Sequence, residues 1–272
     1  MTHLGDLFID EPTTWGSRGD PWLWRELGDR FAGVELPARR GSLAAAIRRA
    51  AADAIGAPLT SPNPDSVFVE RFAHGGMSSG MVSLAWWRDT GLPVLLERAG
   101  FSGDAVRLRV THEHDWVAVR DLRLRNAAEN PIAYGATFET TLGMTEDDWR
   151  LRARRGTAAD STSVVAVAED GRLLGMMAGQ SAAEGDVLLT GVYVEPDARG
   201  PVLGVADELL GEVLAWASMH GDRMRLWVDA GRGGTPARSF YARNGFHASG
   251  ARRPLQDAFS GEQLEMVRGT AV

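Results

Sequence analysis

Thr190-Gly191-Val192-Tyr193-Val194-Glu195-Pro196-Asp197-Ala198-Arg199-Gly200-Pro201-Val202-Leu203-Gly204-Val205-Ala206 is the stretch that decides how this chain is read. Its first residues have the β-branched and aromatic character of a strand end, and the prolines and glycines that follow are those of a turn. From Val205 the apolar Leu209, Leu210, Val213, Leu214 and Ala217 fall on one face, which predicts a helix over 205–220. A strand that passes through a Gly/Arg turn into a helix start presents unpaired backbone N–H groups and the positive end of a helix dipole, an arrangement suited to a phosphate-bearing ligand. A nucleotide-like cofactor is the first expectation.

The 272 residues are 44% hydrophobic and 24% charged, enough to bury one large core or two modest ones, and two domains are expected. The absence of cysteine excludes disulfides, thiolate nucleophiles and Cys-ligated metal, so thiol chemistry can come only from a bound cofactor. There is no lysine, which removes Schiff-base and lysine-base mechanisms. A net charge of −7 argues against nucleic-acid binding, which needs a basic surface to displace counterions, and suits a cationic acceptor. Residues 1–6 lack a basic stretch followed by an apolar run, and no segment approaches the roughly 20 apolar residues of a membrane span. A cytoplasmic protein with no membrane partner is expected.

Asp20-Pro21 reads as the start of a short helix through Leu27 and Phe31, and a second helix is expected over 42–55. The prolines of 57–65 mark a loop, and Ser66 to Phe72 alternates as a half-buried strand. His74 to Gly80 reads as a tight turn, because no lysine follows to make it a phosphate loop. A short helix over 92–98 precedes the turn at Gly100-Phe101-Ser102-Gly103-Asp104, where the domain boundary is placed. Beyond it strand and helix patterns alternate: strands over 106–110, 163–168, 173–178, 187–194, 224–228 and 262–267, and helices over 114–126, from Thr145 through Leu151, over 205–220 and over 237–244. The tryptophans Trp15, Trp22, Trp24, Trp86 and Trp87 are expected to pack the small first domain. His112 and His114 read as a solvated helix cap rather than metal ligands, since a third ligand is lacking, and His247 is expected at a strand edge.

The Gly/Arg turn entering a long helix, followed by Ala237-Arg238-Ser239-Phe240-Tyr241-Ala242-Arg243-Asn244-Gly245-Phe246, resembles the GNAT superfamily of N-acetyltransferases over about 104–267. Nothing before that region does. The resemblance implies an α/β (α+β) fold: a GNAT domain at 104–272 with a mixed, mostly antiparallel central sheet and flanking helices, preceded by a small α+β domain at 1–103. It implies acetyl-CoA as co-substrate, lying in a V-shaped gap between two diverging parallel strands, here 187–194 and 224–228. Val192, Tyr193 and Val194 would pair with the pantetheine arm. Arg199, Gly200, Pro201, Val202, Leu203, Gly204 and Val205 would hold the pyrophosphate, and Ala237 would join the cofactor site. Two departures stand out: Val202 occupies the place of the family's first glycine, where a β-branched residue restricts close backbone approach, and Gly234 replaces an asparagine often found before the second motif.

Tyr241 matches the family tyrosine whose hydroxyl can protonate the departing CoA thiolate, the role of a general acid. A base must also take a proton from the acceptor ammonium. Leu188 stands where family members often carry a glutamate, which leaves Asp186, two residues earlier on the same strand face, and Glu195 at the other end as candidates. The leading expectation is acetyl transfer to a primary amine by direct attack, with proximity and a strand backbone N–H supplying most of the acceleration. The acceptor, a small-molecule amine or a protein N-terminus, would enter from the side of the helices around Trp116 and Trp149 and the loop 131–144, where Tyr134 and Glu139 lie. The alternative is a catalytically silent CoA-binding or partner-binding module, with Val202 and Gly234 marking lost chemistry. A homodimer is left open.

Overall fold

A computed structural model describes residues 3–9, 27–44, 46, 66–73, 76–83, 91–101, 106–134, 137–200, 203–255 and 259–270, with the backbone alone at 66–73, 76–83, 133–134 and 184. These fall into two compact units: Met1–Leu108 with Arg199–Gly211, and Arg109–Ala198 with Glu212–Val272. The expected helix start at Asp20-Pro21, the loop 57–65 and the five tryptophans lie outside the described residues.

The first unit has its own core. Leu4, Leu7 and Phe8 of a 3-10 turn (Leu4–Phe8) meet Leu27, Phe31, Leu43 and the buried face of helix α1 (Leu92–Arg98), where Leu92, Leu95 and Leu96 point inward. Phe8 and Phe31 stack at 5.9 Å, and Arg98 Nη1 donates to the Leu7 carbonyl at 2.7 Å. Strands β1 (Ser66–Ala73) and β2 (Gly76–Ser83) pair antiparallel, Ser66 opposite Ser83 and Ala73 opposite Gly76. The expected tight turn at His74 to Gly80 is therefore corrected: from Gly76 onward those residues belong to a strand, because each faces a partner in β1.

Most of the second unit is built on one sheet of seven strands: β3 (Arg107–Val110), β4 (Ser161–Val167), β5 (Leu173–Ser181), β6 (Asp186–Val194), β7 (Arg223–Asp229), β8 (His247–Pro254) and β9 (Glu262–Gly269), in the order β3-β4-β5-β6-β7-β9-β8. Strand β6 pairs with β7 in parallel, whereas β4 with β5, β5 with β6, β7 with β9 and β8 with β9 are antiparallel. Helices α2 (Trp116–Glu129) and α3 (Glu146–Arg154) cover one face, where Val119, Leu122 and Ala153 pack on Val165, Val167, Met176 and Tyr193. Thr145 caps α3 by accepting from Asp148 N, and Asp148 reciprocates at Thr145 N, which satisfies two donors of the helix start. Helix α4 (Val205–Ala217) carries the predicted apolar face, and its Val213 and Trp216 lie against Gly179 on the opposite face of the sheet from α2. Helix α5 (Thr235–Arg243) follows β7 and packs on it. Strand β8 is exposed along its whole length and lies at the edge of the sheet; His247, expected at a strand edge, is its first residue, and the rest of the strand has no counterpart in the pattern reading.

Candidate active site

The parallel contact between β6 and β7 is three residue pairs long: Asp186 with Arg223, Val187 with Met224 and Leu188 with Arg225. Beyond Leu188 the strands part. β7 continues with β9 through Asp229, while β6 continues with β5. The divergence coincides with a bulge in β6. Ala178 faces Thr190 and Met176 faces Tyr193, so Gly191 and Val192 stand against Met177 alone. Gly191 takes φ 63°, a left-handed conformation that suits glycine, and a bulge of this kind bends the strand and re-aims its backbone N–H groups. The result is a V whose walls are residues 189–194 and 226–229.

Tyr241 lies on α5, 5% exposed, in edge-on contact with Phe240 at 5.2 Å and Phe246 at 5.6 Å. Burial pushes its hydroxyl well above the usual tyrosine range, so it holds its proton at neutral pH. Its orientation comes from the motif itself. The Tyr241 carbonyl accepts from Asn244 N and Phe246 N at 3.0 Å each, which closes the helix on Gly245 at φ 84°.

The two carboxylates expected as base candidates are far apart. Asp186 opens β6 and Glu195 follows its end, a separation of roughly 30 Å along an extended strand. Asp186 sits at the closed end of the V and accepts from both Nε and Nη2 of Arg223, at 2.9 and 2.8 Å, with Arg225 Nε at 3.4 Å. The Arg223 hydrogen bonds hold its carboxyl below the usual carboxylate range. Glu195, 7% exposed, is held by Arg125 of α2 and lies 3.3 Å from the Tyr193 hydroxyl, which also stands 2.8 Å from Glu129 Oε2. A single phenolic proton thus lies between two carboxylates, one buried and one exposed.

The described part of the turn after β6 shows Arg199 and Gly200 exposed, with Gly200 at φ 106° and open space where a side chain would stand. Pro201 and Val202 lie outside the described residues. Gly204, at φ 63°, begins the approach to α4, and Val205 is buried. Within the first unit a Cβ on Gly204 would stand 2.5 Å from Gly41 N, so this position is closed to a side chain by the backbone of residues 40–41. Gly234 has an equally plain reason. A Cβ there would be 2.0 Å from the Asp229 carbonyl oxygen, and Arg238 Nη1 bridges that same carbonyl to Gly231 O at 2.6 and 2.7 Å. The loop between β7 and α5 has no room for an asparagine at 234. Ala237 is half-buried in α5.

The V thus gathers Val192, Tyr193 and Val194, with Glu195 at its open end and Asp186 at its closed one. Glu139 is exposed on the short helix Phe138–Leu142, and the side chain of Tyr134 lies outside the described residues. The pattern reading missed Glu129, Arg125 and Arg123 on α2. Their one visible signal was three charged residues one turn or less from Val119, Leu122 and Ala127 of an otherwise apolar face. His112 and His114 stack on each other at 5.3 Å at the start of the α2 segment, and no group of acidic or histidine side chains fit for a metal occurs among the described residues.

The acetyltransferase (GNAT) family model matches residues 111–246, half of the chain. By fold the second unit is similar to a phosphinothricin acetyltransferase from Sinorhizobium meliloti in complex with acetyl-CoA, with TM-score 0.50 and 18% identity over 60% of this chain and 88% of that one. A ribosomal-protein-alanine N-acetyltransferase from Brucella melitensis gives TM-score 0.50 and 20% identity over 60% and 98%. A comparison with curated protein sequences gives no match. The chain is a GNAT acetyltransferase by family, and acetyl-CoA is the family's co-substrate. Among the described residues no helix is long and apolar enough to cross a membrane.

Proposed function

We propose that this protein transfers the acetyl group of acetyl-CoA to a primary amine by direct attack of the amine on the thioester carbonyl. The observation that carries this reading is the V: three parallel pairs, then divergence at a glycine bulge. A bulge re-aims the backbone N–H groups beside it, and one near Val192 that faces the gap would hydrogen-bond the thioester oxygen as negative charge grows on it. Holding amine and thioester together in the gap supplies the rest of the acceleration without any protein nucleophile.

Tyr241 serves as the acid. Its buried hydroxyl stays protonated and can donate to the leaving sulfur; a thiolate formed in desolvated surroundings is itself more basic than in water, which brings donor and acceptor closer in pKa. Glu195 serves as the base, receiving the ammonium proton through water. Asp186 is the poorer choice, since its two oxygens serve Arg223 at the closed end of the V. The Glu195–Tyr193–Glu129 chain connects a buried carboxylate to an exposed one, a route by which the proton leaves.

The test is acetyl-CoA-dependent thiol release with a panel of primary amines. Turnover on at least one amine is expected. Tight acetyl-CoA binding with no turnover on any amine overturns the reading in favour of a silent CoA-binding module.

A further inference from the structure

Arg123 lies on the inward sector of α2, one turn after Val119 and beside Leu122, both buried. Its Nη1 stands 3.4 Å from the position a Cβ on Gly191 would take, and the Cβ of Ala178 stands 3.7 Å from the same point. A guanidinium is therefore seated directly over the bulge, on the α2 face of the sheet and past the fork where β6 leaves β7. The small residues Gly191 and Ala178 form the floor beneath it. Further along the same row, Ser163 faces Ala178 across β4 and β5. Its hydroxyl is 1% exposed and has no hydrogen-bond partner among the described residues. Residues directly opposite in a ladder share a face, so Ser163, Ala178 and Arg123 belong to the same layer.

Resting on the acetyl-transfer reading above, we propose that Arg123 selects the acceptor: the amine is one that carries a carboxylate a few bonds from its nitrogen, as a free amino acid does, and Arg123 binds that carboxylate. Gly191 adjoins Val192, whose backbone lines the gap, so a carboxylate held by Arg123 would lie close to the place where the amine must attack. A planar guanidinium with its paired N–H donors suits a carboxylate better than any neutral group. Asp or Glu carboxylates that would repel such an acceptor, Glu195 and Glu129, lie at the open end of the V, beyond Tyr193. Gly191 has a double duty: its φ shapes the bulge, and its missing side chain lets the Arg123 guanidinium lie close against the bulge.

The experiment uses the full chain and compares free amino acids with their methyl esters, their decarboxylated amines and short peptides in acetyl-CoA-dependent thiol release, for the wild type and for Arg123→Gln and Arg123→Lys. The free amino acids are expected to be the better acceptors, and Arg123→Gln to lower their kcat/KM by about 30-fold or more while leaving the KM for acetyl-CoA and the turnover of neutral amines unchanged. Arg123→Lys should restore part of the loss, because it keeps the charge and loses the paired geometry. Equal use of acids, esters and amines by the wild type, or a uniform loss on all acceptors in Arg123→Gln, overturns the assignment. If the wild type releases no thiol with any of these acceptors, the acetyl-transfer reading falls. Calorimetric binding of amino acids against their esters then judges Arg123 alone, and no preference for the free carboxylate overturns the assignment as well.

Discussion

Gly204 and Gly41 touch backbone to backbone: a Cβ on Gly204 would meet Gly41 N at 2.5 Å and Gly41 Cα at 2.9 Å. The reverse also holds, since a Cβ on Gly41 would stand 3.0 Å from Gly204 O and 2.5 Å from the Asp207 Cβ. Gly204 therefore has a packing task in this chain, the close approach of residues 40–41 to the first turn of α4. Gly204→Ala should cost about 1–3 kcal/mol from the left-handed backbone alone, with the overlap added to it. Urea unfolding of the variant, read beside its acetyl-CoA affinity, tests this. An unchanged midpoint would show that the contact is dispensable.

The same packing is bound by a buried ion pair. Arg40 Nε stands 2.7 Å from Glu208 Oε1, with side chains 7% and 2% exposed. Removing one partner of such a pair leaves the other charged and desolvated, so Arg40→Ala or Glu208→Ala should each destabilise by about 3–5 kcal/mol. Replacing both together with Ala should cost much less than the sum of the two single changes, because neither charge is then left behind. A double-mutant cycle in thermal or urea unfolding checks both statements. Additive losses would mean that the pair contributes nothing as a pair.

Asp186 and Arg223 make the closed end of the V dependent on pH. The hydrogen bonds from Arg223 lower the Asp186 carboxyl below its ordinary value, so the folded state favours the ionised form. The stabilisation is fully present above the unfolded carboxylate pKa near 4, starts to fade as the pH falls through that region, and is gone only below the lowered folded value. Asp186→Asn should therefore cost about 1–3 kcal/mol at pH 7 and progressively less in acid, so that the stability difference from wild type shrinks as the pH falls from 5 toward 3. Unfolding midpoints at several pH values measure it, and a difference that stays constant with pH would remove the pair as its source.

What could be read in advance was what short-range pattern encodes. Thr145 announced the start of its helix, Leu209 to Ala217 their helix face, and the Gly171 turn its hairpin, because each depends on residues within a few positions of one another. Strand β8 left no such trace: every residue from His247 to Pro254 is exposed, so there is no buried alternation, and pairing with β9 alone makes it a strand. Gly76 to Gly80 misled for a related reason, since glycine and serine read as turn formers until a partner strand supplies the ladder. In the site, the V and Tyr241 came from motifs, whereas the pairing of Asp186 with Arg223, of Glu195 with Arg125, and the seat of Arg123 over Gly191 join positions 37, 70 and 68 residues apart. Such pairs depend on register, and one residue of bulge in β6 decides which side chains share a face.

That bulge also shapes the proton route. Tyr193 and Glu195 flank Val194 on the α2 face, and the Tyr193 hydroxyl reaches both Glu195 and Glu129. Since one hydroxyl proton cannot serve two carboxylates at once, a proton arriving at Glu195 can be accommodated by letting the phenol turn toward Glu129. If Glu195 is the base, Glu195→Gln should lower kcat by about 10²–10⁴-fold with little change in acetyl-CoA affinity, and raising the pH should recover part of the rate as more amine arrives already deprotonated. Tyr193→Phe keeps the ring packing of the core and removes only the hydroxyl, so a smaller loss is expected, with the Glu195 carboxylate still in place. If Tyr241 is the acid, Tyr241→Phe should behave differently, lowering turnover at every pH because the lost proton is the one meant for the leaving sulfur rather than one taken from the amine. A full pH–rate profile of the three variants separates these outcomes. Recovery at high pH in Tyr241→Phe but not in Glu195→Gln would exchange the two assignments.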